Sequence, residues 1–227
     1  MLTIEEWTAL RLSLQVAACA ALAAMPFAIA AGYALARWQF PGKWLAETTL
    51  HLPLVLPPVV VGFVLLTLLA PHGPLGAVLL RCLGVKLVFT WVAAAIAAAV
   101  MSFPLAVRAM RLAFQAVDPR LEMAARSLGA TPWRAFFTVS LPLARRGVIA
   151  GTILAFARSL GEFGATIMVA GNIEGQTRTL PLAIYSFADR PDGASAVWRL
   201  VAISILLACA ALAVSEWMER RANDGAP

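Results

Sequence analysis

The chain has 227 residues, 61% of them hydrophobic and 13% charged, with a mean hydropathy of +0.82. Soluble domains carry about twice that charged fraction, so composition excludes a water-soluble domain and defines an integral membrane protein, all-α and polytopic. The formal net charge of +6 does not point to nucleic acid, because no basic stripe with interleaved aromatics occurs and the arginines cluster beside apolar segments.

Five segments reach the roughly 20 apolar residues that a membrane-crossing helix needs, at about 12–36, 50–70, 87–107, 147–170 and 197–216. They are read as one transmembrane domain over 1–227, with a cytoplasmic loop at 108–146. The first is not a signal peptide, since Glu5 and Glu6 make its start acidic and its apolar run is too long. Cys19, Cys82 and Cys209 are scattered singly without CxxC spacing and are read as small apolar fillers.

The second segment contains Pro53, Pro57, Pro58 and Gly62. Prolines there free backbone groups that lipid cannot satisfy, so this helix is expected to break and to face neighbours or a water-filled cavity. Broken helices often line transport paths; a kink packed on the next helix is the alternative reading, for Pro104 in the third segment as well.

The loop holds the stretch EMAARSLGATPWRAFFTVSLP at 122–142. Asp118 with Pro119 predicts a capped helix start, Gly129 a stop at positive φ, and Thr131 with Pro132 a second start. Leu121, Ala124, Ala125 and Leu128 recur at helical spacing as a narrow face, while Arg120 and Arg126 point elsewhere. Such a face requires a partner, whether the lipid surface, the cytoplasmic end of the bundle or another protein.

Arg158 and Glu162 are the deepest charges of the fourth segment and stand four residues apart, on one predicted helical face. They form either a mutual ion pair or part of a gate. Gly161, Gly164 and Ala165 offer a small surface for close helix packing. The pathway or gate set expected from the sequence is therefore Pro57, Pro58, Gly62, Arg158, Gly161, Glu162, Gly164 and Thr166. The stretch 171–196, with Thr177, Arg178 and Thr179, is too long for a tight turn, and its 180–187 portion reads as a short interfacial or re-entrant helix.

Positive side chains resist translocation. One set of loops holds Arg37, Lys43, Arg108, Arg111, Arg120, Arg126, Arg134, Arg145, Arg146, Arg220 and Arg221; the opposite set holds Arg11, Arg81, Lys86, Arg178, Arg190 and Arg199. The first set is the larger and is placed in the cytoplasm, with the N-terminus outside and the C-terminus inside. Trp38, Trp44, Trp198 and Trp217 are read as interface anchors.

No catalytic residue and no metal site are expected. His51 and His72 are the only histidines, HExxH is absent, and no nucleophile and base pair stands out within a span. GxxxxGK[ST] is absent too; Gly42-Lys43 lacks the upstream glycine and the following hydroxyl. If the chain is an active pump its energy comes from elsewhere. A membrane enzyme and a channel or carrier working alone are the rival classes, and uptake without any ATPase partner would favour the latter.

The loop resembles the cytoplasmic EAA loop of ABC importer permeases, whose pattern is Glu-Ala-Ala, three residues, Gly, nine residues, Ile, one residue, Leu-Pro. Ala124, Ala125, Gly129, Val139, Leu141 and Pro142 fill it in register; Met123 occupies the glutamate position and Glu122 stands one residue earlier. HLPLVLPPVVVGF at 51–63, AAAVMSFPLAVRA at 97–109 and ARSLGEFGATIMVAGNIEGQTRTLP at 157–181 most resemble molybdate permeases, and sulfate, thiosulfate and tungstate permeases share much of this pattern. The resemblance implies the ABC type I importer permease fold and a homodimer in the bacterial inner membrane that moves its anion by alternating access. It further implies two copies of a cytoplasmic ATP-binding subunit, which use ATP and Mg, and a periplasmic molybdate-binding protein; this chain itself binds no cofactor. The coupling residues it implies are Leu121, Glu122, Ala124, Ala125, Leu128, Gly129, Leu141 and Pro142, with 121–129 as the helix that docks on the ATPase.

Overall fold

A computed structural model describes the backbone of residues 2–223 and side chains through Trp217. Among these residues the chain is helical and contains no strand. Helix α1 (Ile4–Arg37) begins at a reciprocal cap in which Thr3 Oγ1 accepts from the Glu6 amide and the Glu6 carboxylate accepts from the Thr3 amide. It is followed by α2 (Lys43–Val55), α3 (Pro58–Leu69), α4 (Pro74–Leu83) and α5 (Trp91–Gln115). The short helices α6 (Pro119–Ser127) and α7 (Pro132–Ala135) come next. A π-helical turn (Phe136–Ser140) then carries the chain without a break into α8 (Leu141–Leu160). Helices α9 (Gly164–Ala170), α10 (Leu180–Ala188) and α11 (Ala194–Asn223) complete the order.

The centre of the bundle is α5, packed on α1 along one side and on α8 along another. The seam is alanine: Ala17, Ala20, Ala28, Ala93, Ala94, Ala97 and Ala98 are fully or almost fully buried. Small residues let backbones approach closely, which is how helices gain packing where the surrounding lipid is as apolar as the helices themselves. Gly147 of α8 shows how tight the seam is, since a Cβ built there would lie 2.5 Å from Ala113 Cβ of α5. Helix α11 packs on α8 but leaves Trp198, Ile205, Leu206, Leu212 and Val214 exposed, an apolar face suited to lipid or to another membrane chain. Trp38, Trp44, Trp198 and Trp217, read as anchors, are all exposed.

Among the described residues four helical stretches are long and apolar enough to cross a membrane: Ile4–Arg37, Trp91–Gln115, Pro132–Leu160 and Ala194–Trp217. The pair α2 and α3 makes a fifth if counted as one span, although its two pieces are bent by 108°. The segment 50–70 is thus not one straight helix. Pro57 and Pro58 account for the break: Leu56 ends α2 in extended conformation, Pro57 caps α3, and Pro58 takes the first helical position, where its missing N–H costs nothing. The segment 147–170 also differs from a single continuous span. Its helix starts well before 147, ends at Leu160, and resumes as α9 only after the break 161–163. Helix α10 fills the place expected for a short helix at 180–187; its Leu180, Leu182, Ala183 and Phe187 are buried, and its first amide donates to Ser13 Oγ of α1 at 2.6 Å.

Candidate functional site

Two places gather the residues singled out by sequence. The first is the loop helix α6. Asp118 caps it by accepting from the Arg120 amide at 2.9 Å, and Pro119 occupies its first position. At the other end Gly129 takes φ +91°. Its N–H donates to the Arg126 carbonyl at 3.0 Å and the Ala130 N–H to the Ala125 carbonyl at 3.1 Å, the paired closure that needs a left-handed residue at this place. Thr131 Oγ1 then accepts from the Arg134 amide and starts α7. Each local stop and start expected at 118–132 is present.

Helix α6 buries none of its residues. Leu128 is 90% exposed; Leu121, Met123 and Ala124 are also exposed, and Ala125 is half-buried. Trp133 and Phe137, stacked with ring centroids 6.2 Å apart, extend this apolar surface beyond the turn. Leu141 and Pro142 lie instead in the first turn of α8. Glu122 faces the other way. Its Oε1 accepts from the Tyr33 hydroxyl at 2.6 Å and its Oε2 from Ser140 Oγ at 2.9 Å, with Arg37 Nε 3.8 Å away. Tyr33, Arg37 and Ser140 escaped sequence reasoning because they lie 18 to 89 residues from Glu122, and no local pattern ties them to it.

The second place is the crossing of the two interrupted helices, α3 and α9. A Cβ on Gly62 would stand 2.7 Å from the Ala165 carbonyl oxygen, and one on Gly164 would stand 2.9 Å from Pro58 Cβ. The crossing therefore brings Pro58, Gly62 and Gly164 together. Pro57 sits at its exposed edge and Thr166 is buried within α9. Gly161, expected to share the packing surface, meets nothing within 4 Å of a built Cβ and is exposed; it ends α8 instead.

Arg158 and Glu162 do not share one helix, because α8 stops at Leu160. They pair nonetheless, Arg158 Nη1 to Glu162 Oε2 at 3.0 Å, while Glu162 Oε1 accepts from the Ala165 amide at 2.9 Å. The carboxylate thus joins the end of α8 to the start of α9, satisfying an amide that the break leaves free. The glycines on either side of this charge were the available signal for the break.

Close packing at Gly62 makes a direct test possible. Gly62→Ala forces α3 and α9 apart and is expected to cost about 1–3 kcal/mol, read as a lowered thermal unfolding midpoint in detergent. An unchanged midpoint would contradict the close crossing.

A bundle of apolar helices, two of them interrupted and paired, with a capped and exposed loop helix at one end, is the architecture of a transport permease. The sequence profile of "Binding-protein-dependent transport system inner membrane component" matches residues 10–224, and the chain belongs to this family, as a multi-pass membrane protein. Within it, the chain is 53% identical over 226 residues to the molybdenum transport system permease protein ModB of Escherichia coli K12, covering 100% of this chain and 99% of that protein. It is 47% identical to the Haemophilus influenzae ModB over 216 residues, 95% of this chain and 94% of that one. The sulfate transport system permease protein CysT of E. coli K12 is 36% identical over 184 residues, 80% of this chain and 66% of that one. In fold the chain is similar to a crystal structure of a bacterial ABC transporter involved in the import of alginate, with TM-score 0.70 at 16% identity, covering 100% of this chain and 82% of that one.

Proposed function

We propose that the chain is the membrane-spanning permease subunit of an ATP-driven importer that moves molybdate across the bacterial inner membrane by alternating access. The observation that carries this reading is the 53% identity, over essentially the whole of both chains, to a molybdenum permease. The sulfate permease is more distant and is matched over a shorter region, so sulfate, thiosulfate and tungstate are the second reading. ATP and Mg belong to a separate ATP-binding subunit present in two copies; this chain hydrolyses nothing and binds no cofactor of its own.

The exposed face of α6 is the part of the chain built to receive that subunit. Leu121, Ala124 and Leu128 supply contact, while the caps at Asp118 and Gly129 keep α6 rigid and set its angle. With the N-terminus outside and the C-terminus cytoplasmic, this loop faces the ATPase, and the 171–193 region with α10 faces the periplasmic molybdate-binding protein. One subunit encloses too little to form a pore, so two copies pack about a two-fold axis. The crossing of α3 and α9 then borders the path, with Pro57, Pro58, Gly62, Arg158, Glu162, Gly164 and Thr166 at the gate. High affinity resides in the binding protein, because a path that must release its anion holds it weakly.

The substrate is tested by molybdenum accumulation in cells that lack their own molybdate importer and are supplied with this permease, its ATPase and its binding protein. Uptake is expected to persist in a large excess of sulfate. Uptake abolished by sulfate moves the assignment to the sulfate-type reading, and a parallel tungstate competition ranks the remaining anion.

A further inference from the structure

The inner side of α6 carries a contact that the docking face does not use. Helix α6 has no buried residue and only Ala125 half-buried among its apolar ones, so its apolar grip on the bundle is slight. What holds it is one carboxylate, Glu122, which takes hydroxyl donors from two other elements: Tyr33, near the C-terminal end of α1, at 2.6 Å and Ser140, the last residue of the π-helical turn, at 2.9 Å. Hydrogen bonds to an ionised acceptor are among the stronger ones available. The Tyr33 ring is wedged edge-on against Phe114 of α5 at 5.3 Å and against Phe136 of the π turn at 4.8 Å, so its hydroxyl cannot swing away without repacking both rings. Arg37, one turn further along α1, donates from Nη2 to the Val117 carbonyl between α5 and α6 at 2.9 Å. Its Nε is buried without a hydrogen-bond partner among the described residues and lies 3.8 Å from Glu122 Oε2. That is about 1 Å beyond an ordinary hydrogen bond, so it is a donor ready for a small shift of the carboxylate toward α1.

We propose that Tyr33, Glu122 and Ser140 are positioning residues that form a clasp, through which displacement of α6 is delivered to α1 and, by way of the π-helical turn, to α8. The inference rests on reading α6 as the coupling helix and adds where its movement enters the bundle. Glu122 stands in the first turn of α6 and the exposed Leu128 caps its end, so a push on the exposed residues of this short capped helix arrives at the carboxylate. The π turn suits the receiving role, because such turns interrupt the regular helical ladder and occur often at functional sites.

The test uses the full transporter, reconstituted in vesicles with its ATP-binding subunit and binding protein, with molybdate uptake and ATP hydrolysis measured on the same sample. Tyr33→Phe keeps the ring packing and removes only the donor; it is expected to lower uptake per ATP hydrolysed about five- to ten-fold in a complex that still assembles. Glu122→Ala should lower the ratio further. Glu122→Gln, whose amide oxygen keeps one acceptor, should fall between Glu122→Ala and the parent, and the double variant Tyr33→Phe/Glu122→Ala should be no worse than Glu122→Ala alone. An unchanged ratio in both single variants, or a fall of uptake and hydrolysis in step, overturns the clasp. Gly129→Pro, measured alongside, separates the two levels of the inference. If it abolishes molybdate-stimulated hydrolysis while the clasp variants keep the parent ratio, the clasp is wrong and the coupling helix stands; if it hydrolyses and transports like the parent, the reading of α6 fails and the clasp fails with it.

Discussion

Gly129→Pro is expected to abolish transport-linked ATP hydrolysis in the assembled transporter while leaving membrane insertion intact. Gly129 sits at φ +91°, and proline is fixed near −65°, so the chain cannot keep its path out of α6. The same change deletes the N–H that donates to the Arg126 carbonyl and disfavours the near-helical conformation of Leu128 before it. Helix α6 loses its closure, and its exposed face is re-aimed where Leu128 is most exposed. The combined backbone penalty is roughly 3 kcal/mol or more, which as a coupling free energy corresponds to about 100-fold. The apolar helices that carry insertion lie elsewhere, so protein in the membrane should be normal in amount while molybdate-stimulated hydrolysis falls to background. Normal coupled turnover would sink the assignment of α6.

The same helix shows what local chemistry makes legible. Asp118 with Pro119, Gly129, and Thr131 with Pro132 could be placed from sequence because a cap is satisfied within about four residues of itself. Pro57 and Pro58 likewise announced a break in the second apolar segment, though not the 108° angle, which packing of α3 on α9 decides. The break at 161–163 was missed because the apolar run resumes after Glu162 and continues to Ala170, so hydropathy averaged over a span carries across it and the glycines flanking the charge were read as a packing surface. What a chain cannot show locally is a contact such as Tyr33 with Glu122, 89 residues apart. Glu122 and Met123 illustrate the limit: motif spacing placed Met123 at the glutamate position, yet in the folded chain the residue bonded to the bundle is Glu122, and Met123 is exposed. Which of two adjacent positions turns inward depends on where α1 and the π turn lie.

Glu162→Gln is expected to slow molybdate uptake strongly while leaving the choice among anions unchanged. The carboxylate is 2% exposed and has two tasks, pairing with Arg158 and accepting from the Ala165 amide. The amide side chain keeps the second task through its oxygen, but it then turns an NH2 donor toward the guanidinium and leaves that cation without its counter-charge. Breaking a buried pair on one side costs about 3–5 kcal/mol. Arg158 is 31% exposed and regains some hydration, so about 2 kcal/mol, roughly 30-fold, is the better expectation. That cost falls on the joint between α8 and α9, and so on the α3 and α9 crossing rather than on any contact with cargo. If the crossing borders the path as proposed, a bare carboxylate there would repel the passing anion, and pairing with Arg158 would remove that repulsion. A change in gating or assembly, seen as slower uptake with the molybdate-to-sulfate ratio held, fits this account. A variant with normal flux and an altered anion ratio would instead make Glu162 a determinant of selectivity, and the role of the break as a joint between helices would have to be given up.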